Sequence, residues 1–529
     1  MNTESQTSDS NPANRQIARA AGLVTTALVL SNLTGLVRQI LVANAFGTSA
    51  SIEAFNAANR ISETLFNLVA GGALGSAFIP TFASLLAKEK RQEAWRLASS
   101  IFNLILIILT LLAALGAIFA PQVVRYIIAP GFAADPAKEA LTIYLTRLML
   151  PSAVLFGISG LIMGILNSRQ VFFIPALTPA MYQIGMIFGV TVLSPRMGVE
   201  GLAWGVLIGA AFHLIFQLPI LFKQKGTYSP TFDLKSPDVR EVARLMGPRL
   251  LGVAVVQLNF WINVRLASQQ PEGSVTAIQF AFALMLMPQA AIAQSIATAA
   301  LPTFSIQVAK NKLTEMRNSL AATLRGILFL SIPASLGLIL LRKPIITLLY
   351  QRGEFTIQST RLVAWALLWY AAGLVGHAMV EILARAFYAL HDTRTPVFIG
   401  IAAMSLNVVF SYIFSAAFLR MGWMPHGGLA LANTLATGLE MIGLVLIMSK
   451  RLNGLNGKQI GTGVVKALLS GVMMAAAIWG WISFSGEISI WIITLVGILI
   501  GIVVYTASLG VLKTTELKDL VQAVRSRLG

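Results

Sequence analysis

Cysteine does not occur in this 529-residue chain, which excludes disulfides, thiolate metal sites and a cysteine nucleophile. Charge is scarce as well. Asp, Glu, Lys and Arg make up 11% of the residues, against roughly 25% in a soluble globular protein. The four histidines, His213, His377, His391 and His426, lie far apart and lack metal-ligand spacing. HExxH, GxSxG and Walker A patterns do not occur, so no metalloprotease, serine hydrolase or motor ATPase is indicated. No nucleophile, metal set or acid–base pair converges, and the chain reads as a non-enzyme without a cofactor.

What fills the sequence instead is apolar. Hydrophobic residues are 56% of the chain and its mean hydropathy is +0.76. A bilayer needs roughly 20 apolar residues per helix. Runs of that length lie near 17–46, 53–86, 95–121, 138–167, 171–194 and 198–222. After the polar stretch from Lys223 to about Arg244 they resume near 246–268, 274–308, 315–341, 357–389, 396–418 and 427–449, then 461–484 and 487–512. The expected fold is an all-α polytopic membrane protein of about fourteen transmembrane helices. Its parts are a cytoplasmic tail (1–16), an N-lobe (17–222), a cytoplasmic linker (223–245) and a C-lobe (246–450). Two last helices and a cytoplasmic C-terminal tail occupy 451–529.

The net charge of +18 does not mark a nucleic-acid protein, because the basic residues sit in short loops between apolar runs. With the N-terminus inside, the inner loops hold about 25 Lys and Arg and the outer loops about 8, which predicts both termini in the cytoplasm. The first twenty residues are polar and lack the short apolar core and small-residue cleavage site of a signal peptide.

The chain also repeats itself. Phe78–Lys90 reads FIPTFASLLAKEK and Ala300–Lys312 reads ALPTFSIQVAKNK, six identities in thirteen at a separation of 222. Pro130-Gly131-Phe132 is echoed by Arg352-Gly353-Glu354-Phe355, and Gly201-Leu202-Ala203 by Gly428-Leu429-Ala430. Each half has an even number of helices, so the two six-helix lobes form a parallel repeat about an axis along the membrane normal, with two helices appended. This is transporter architecture; no filter or pore loop suggests a channel.

A charged residue within a span costs roughly 2.5–3.5 kcal/mol on insertion scales, so each is a candidate functional position. Arg60 and Glu63, three apart on one face, either pair internally or line a cavity. Glu381 and Arg385, four apart, fit an internal pair. Arg265 and Lys466 lie near helix ends, where a long side chain snorkels. Arg147 lies a third of the way into its span and fits either role. Gln257, Asn259 and Asn263 suit interhelical hydrogen bonds, and Gly71, Gly72 and Gly75 suit close packing or a bend. Arg38 differs. Between Arg19 and Glu53 no other residue is charged, and no acidic residue lies within four positions. It must face water, another helix or an anion, and a guanidinium matches phosphate oxygens in bidentate fashion.

In order along the chain stand Gly35-Leu36-Val37-Arg38, Ala45-Phe46-Gly47, Glu53-Ala54-Phe55, Phe78-Ile79-Pro80 and Ala129-Pro130-Gly131-Phe132. They are followed by Gly164-Ile165-Leu166-Asn167, Gly247-Pro248, Leu251-Gly252-Val253, Asn263, Leu301-Pro302 and Asp392-Thr393-Arg394-Thr395-Pro396. Together these resemble the MurJ/MviN lipid II flippases of the multidrug/oligosaccharidyl-lipid/polysaccharide exporter superfamily, nearly end to end. The resemblance implies transport of undecaprenyl-pyrophosphate-linked peptidoglycan precursor (lipid II) from the inner to the outer leaflet of the bacterial inner membrane, for cell wall biogenesis. It also implies a cationic cavity between the lobes, a groove for the lipid tail at the last two helices, and alternating access driven by a coupling ion or the membrane potential.

Arg38, Arg60, Glu53 and Asn263 stand at positions that match the family's motifs; with Glu63, Arg147 and Arg265 from the reading of the spans they make the candidate substrate-binding residues. Asn32, Phe66, Asn67, Gly71, Phe282, Ala283 and Leu286 stand where the family usually carries charge, and Glu53 replaces a common Asp. Either Arg147 or Arg265 makes up the lost charge, or the substrate is a relative of lipid II. Two other readings accompany the lipid II flippase. One is a transporter of another polyprenyl-linked oligosaccharide or of drugs; the other is a non-transporting scaffold of the same fold.

Overall fold

The computed structural model describes residues 12–69, 73–486 and 488–514, and every regular element among them is helical. In hydrocarbon a lipid-exposed segment must satisfy its own backbone N–H and C=O groups, which the helix does internally. Numbered in chain order, the longer helices of the first half are α1 (Pro12–Phe46), α2 (Ala50–Val69), α3 (Ala73–Ala87), α4 (Arg91–Ile118) and α5 (Pro136–Met149). α6 (Pro151–Ser168), α7 (Phe173–Phe188), α8 (Val199–Ile215) and α9 (Pro237–Ser268) follow. Next come α10 (Ser274–Gln289), α11 (Ser295–Ala309), α12 (Leu313–Tyr350), α13 (Ile357–Ala372) and α14 (Leu374–Ala389). The chain continues with α15 (Arg394–Arg420), α16 (His426–Arg451), α17 (Gly457–Phe484) and α18 (Ile490–Val511).

Among the described residues eleven helical stretches are long and apolar enough to span a bilayer, or thirteen when each of two bent pairs is counted as one span. The expectation of about fourteen differs at 53–86. That run is divided between α2, whose Glu53, Arg60 and Glu63 lower its hydropathy, and the 15-residue α3. Of the glycines expected to bend this run, Gly71 and Gly72 lie outside the described residues.

The chain divides into two compact units. One comprises Met1–Phe46, Ala54–Ile128 and Phe132–Gln257; the other comprises Gly47–Glu53, Ala129–Gly131 and Leu258–Gly529. The expected linker 223–245 belongs to the first. Its polar residues lie along α4: Asn103 Nδ2 donates to the Thr231 carbonyl (2.8 Å), the Tyr228 hydroxyl to Asn103 Oδ1 (2.8 Å), and Arg96 pairs with Asp233 (3.0 Å). The core beneath them stacks Phe78 on Phe82 (ring centroids 5.0 Å apart), with Trp95 edge-on to Phe82.

α7 and α8 meet along glycine. Gly201, Gly205 and Gly209 recur every four residues on α8 and face Gly185 of α7 and Gly189 in the π-helical turn that follows it. A Cβ on Gly189 would stand 2.6 Å from the Gly205 Cα, and one on Gly185 would fall inside the Gly209 backbone. Without a hydrophobic force between helices in lipid, such small-residue faces let the backbones touch and gain dispersion contact.

In the second unit the span made of α13 and α14 bends by 45° at Gly373. A bend frees carbonyls that water cannot reach, and hydroxyls from neighbouring helices take them. Thr434 Oγ1 of α16 donates to the Trp369 carbonyl and Ser335 Oγ of α12 to the Ala371 carbonyl, both at 2.7 Å. Two echoed motifs of the repeat pack reciprocally here. A Cβ on Gly131 would meet the Ser268 carbonyl and stand 2.6 Å from Gln269 Cα; one on Gly47 would meet the Glu354 carbonyl. Since 131 and 353 are counterparts at the 222-residue offset, as are 47 and 269, these are nearly the same contact made twice.

The Asp392-Thr393-Arg394-Thr395 motif is a helix cap. Asp392 Oδ1 accepts from the Arg394 and Thr395 amides (3.1 and 3.0 Å), Oδ2 accepts from the Thr395 hydroxyl (2.6 Å), and Arg451 pairs with it from the end of α16. Burial pushes the Asp392 carboxyl up, but the Thr395 bonds, Arg451 and the Arg394 amide together hold it below the usual aspartate value. The folded-state pKa is depressed, so this cap stabilises above pH of about 4 and is lost as pH falls through the lower folded value. Asp392→Ala is expected to cost about 1–2 kcal/mol near neutral pH, and the difference from wild type in detergent melting should shrink on acidification.

Candidate functional site

Within the first unit, three of the seven candidate side chains stand around Tyr182, Arg38 on one helix and the Arg60–Glu63 pair on another. α1 brings Arg38, α2 brings Arg60 and Glu63, and α7 supplies Tyr182, Gln183 and Met186. Arg60 Nη1 pairs with Glu63 Oε2 at 2.9 Å, while Asn59 Nδ2 donates to Glu63 Oε1 at 2.8 Å. The i, i+3 spacing puts the ion pair on one helix face, as the sequence predicts. Tyr182 lies in electrostatic range of both Glu63 and Arg38. Its ring is held edge-on by Phe156 (5.1 Å), which also packs on Phe66 (4.6 Å) and His213 (5.3 Å). Behind that wall Ser159 Oγ bonds His213 Nδ1 at 2.6 Å and accepts from Gln217.

Arg38 is half-buried, and its one hydrogen bond among the described residues runs from Nη1 to the Met186 thioether at 3.4 Å. A thioether is a weak acceptor. Arg38 Nε is buried without a hydrogen-bond partner, and so is Gln183 Oε1 nearby on the face that meets α1 at Gly35. No carboxylate pairs with Arg38 among the described residues. A buried guanidinium served this poorly is costly, and an anion that takes its donors would relieve the cost. With Arg60 and Glu63 the cluster carries one net positive charge.

The other four candidates lie elsewhere. Arg147 is exposed, and its Nε donates to the Ala117 carbonyl at 2.9 Å. That carbonyl is in the last turn of α4, where a cation complements the helix end. Glu53 is buried in the second unit and accepts from the Val275 amide at 2.8 Å, capping the N-terminus of α10. Glu53→Ala is expected to cost about 1–2 kcal/mol in thermal stability, with Glu53→Gln recovering part of the loss. Asn263 donates back to the Asn259 carbonyl and side chain (3.0 Å each), and Asn259 reaches the Met404 carbonyl. Arg265 stands in the last turn of α9.

Sequence reading did not single out Asn59, Tyr182 or Gln183. The Tyr182-Gln183 pair interrupts an apolar run and Asn59 precedes Glu63 by one turn; both are visible signals of low specificity.

Residues 42–499 match the family model described as lipid II flippase MurJ. The "Probable lipid II flippase MurJ" of Vibrio cholerae is 31% identical over 524 residues, covering 94% of this chain and 97% of that one. A solved structure titled "Lipid II flippase MurJ, inward closed conformation" superposes with a TM-score of 0.80 at 26% identity, over 94% of this chain and 99% of the other. An inward-facing multidrug resistance MATE family transporter shares the fold at a TM-score of 0.68 and 18% identity, over 82% of this chain and 98% of that one.

Proposed function

The chain belongs to the MurJ family of lipid II flippases, and on that premise we propose that it moves undecaprenyl-pyrophosphate-linked peptidoglycan precursor from the inner to the outer leaflet by alternating access. It is a multi-pass inner-membrane protein. Both termini lie in the cytoplasm on this reading, supported by the threefold excess of Lys and Arg in the loops on that side. The organisation is two six-helix lobes with α17 and α18 appended. Transport needs no covalent step from the chain, and a coupling ion or the membrane potential supplies the driving force.

The observation that carries the site is Arg38, a half-buried membrane arginine whose described partner is a thioether. Its guanidinium offers two parallel donors to a pyrophosphate, with Arg60 adding charge and Glu63 orienting it through their ion pair. Gln183, Tyr182 and Asn59 are polar neighbours for the headgroup. Asn263 and Arg265 are proposed as contributors from α9. Glu53 acts by fixing the start of α10, and Arg147 by closing the end of α4.

Complementation tests the reading. In a host depleted of its own peptidoglycan flippase, this gene is expected to prevent lysis and restore lipid II at the outer leaflet; persistent lysis with normal abundance would overturn it. A flippase for another polyprenyl-linked oligosaccharide is favoured by Asn32, Phe66 and Phe282, uncharged where the family usually carries charge. That reading predicts failed complementation together with export of a different lipid-linked glycan.

A further inference from the structure

At one end of the bundle formed by α12, α17 and α18, a cavity of about 350 Å³ is lined by Arg325, Lys458, Gln459, Thr462, Lys466 and Lys513, closed by Gly463. Among the described residues that line it, Arg325, Lys458, Lys466 and Lys513 are cations and none is a carboxylate. The arrangement is built from the helices. Lys458, Thr462 and Lys466 recur every four residues and so share one face of α17. Lys458 stands in the first turn of α17, where the unbonded N–H groups also favour an anion. Arg325 crosses from α12, its Cγ and Cδ passing 3.5 Å from where a Cβ of Gly463 would be. Lys466 Nζ donates to the carbonyl of Leu512 at 3.0 Å, which ties the floor of the cavity to the end of α18. The next residue, Lys513, completes the ring of charge.

Directly along α17 the surface turns apolar. Val465, Leu468, Leu469, Val472 and Met473 are all about half exposed or more, with Val472 at 64%. A ligand that satisfies both surfaces has a phosphate at one end and hydrocarbon at the other. We propose that this cavity binds the phosphodiester headgroup of an anionic phospholipid from the adjoining leaflet, with its acyl chains along α17. Basic pockets between membrane helices at the polar boundary are suited to such headgroups. The cavity belongs to the second unit, is lined by none of the residues proposed to bind the transported lipid, and does not depend on that lipid's identity.

The test uses the full-length protein in detergent, titrated separately with phosphatidylglycerol, phosphatidylcholine, glycerol 3-phosphate and inorganic phosphate. Binding is read by native mass spectrometry and melting temperature. Wild type is expected to retain phosphatidylglycerol at least tenfold more tightly than phosphatidylcholine, with little protection from either soluble phosphate. Lys458→Gln combined with Lys513→Gln removes two exposed cations and leaves the Lys466–Leu512 bond intact, so folding should persist. In that variant the preference for phosphatidylglycerol is expected to fall at least fivefold, with phosphatidylcholine retention unchanged. Equal retention of the two lipids by wild type would overturn the proposal. So would an unchanged preference in the variant, or protection by inorganic phosphate equal to that by phosphatidylglycerol.

Discussion

Replacing Arg38 with alanine is expected to abolish transport while leaving the protein inserted, folded and abundant. The guanidinium donates to a thioether at 3.4 Å, and its Nε is buried without a partner, so little native stabilisation is lost with it. Stability should hold or rise slightly, because a poorly satisfied buried charge is removed. Transport should suffer far more. Charge-assisted hydrogen bonds are worth roughly 1.5–3 kcal/mol each, so losing a bidentate contact to a pyrophosphate costs about 3–6 kcal/mol, a drop of about 10²-fold to 10⁴-fold.

Arg38→Lys keeps the charge but not the two-pronged geometry and is expected to recover only part of the activity. Arg147→Ala serves as the contrast. Its partner is a helix-end carbonyl, and transport should continue near the wild-type rate. Flipping measured at matched protein abundance decides the matter. An Arg38→Ala protein that flips normally would remove this residue from the site.

The second large effect concerns packing. Gly185→Val should disrupt the first unit, because a Cβ at that position already falls inside the Gly209 backbone before the two methyl groups are added. Backbone cannot move aside as a flexible side chain can, so α7 must separate from α8. Overpacking of this kind costs about 3 kcal/mol or more. Loss of monodisperse protein and a marked fall in melting temperature are expected. Gly326→Ala, where a Cβ would meet nothing within 4 Å, should leave both unchanged. Transport should fail with Gly185→Val even in the fraction that survives, since α7 carries Tyr182, Gln183 and Met186 against Arg38. A Gly185→Val protein as stable as wild type would show that the α7–α8 contact is not what holds these helices.

Helix positions were largely legible in the sequence because a membrane span is set by length and apolarity, which are local properties. The runs read at 171–194, 274–308 and 427–449 correspond to spans at Phe173–Met197, Ser274–Ala309 and His426–Arg451. The run at 53–86 was less legible because charge and small residues divide its hydropathy. The repeat was legible from motif register, and the reciprocal packing of Gly47 and Gly131 gives those motifs a physical cause.

The site was legible in part. Arg38 could be singled out because its own helix offers no partner, and Arg60 with Glu63 because helical spacing pairs them. Glu53 and Arg147 have partners far along the chain, at Val275 and Ala117, which helical periodicity does not encode. Tyr182 and Gln183 became significant only when the glycine seam placed α7.

The hydrogen bond from Val275 to Glu53 joins positions that are counterparts in the two copies, 222 residues apart. In a symmetric pair of separate identical chains, a position that touches its counterpart would touch itself. Two glutamates there would repel, and two valines would leave the first amides of the helix without an acceptor. Within one chain the two positions are free to differ, so Glu53 supplies the carboxylate and Val275 the amide at the start of α10. The contact therefore needs one buried acid, where a pair of identical chains would bring two.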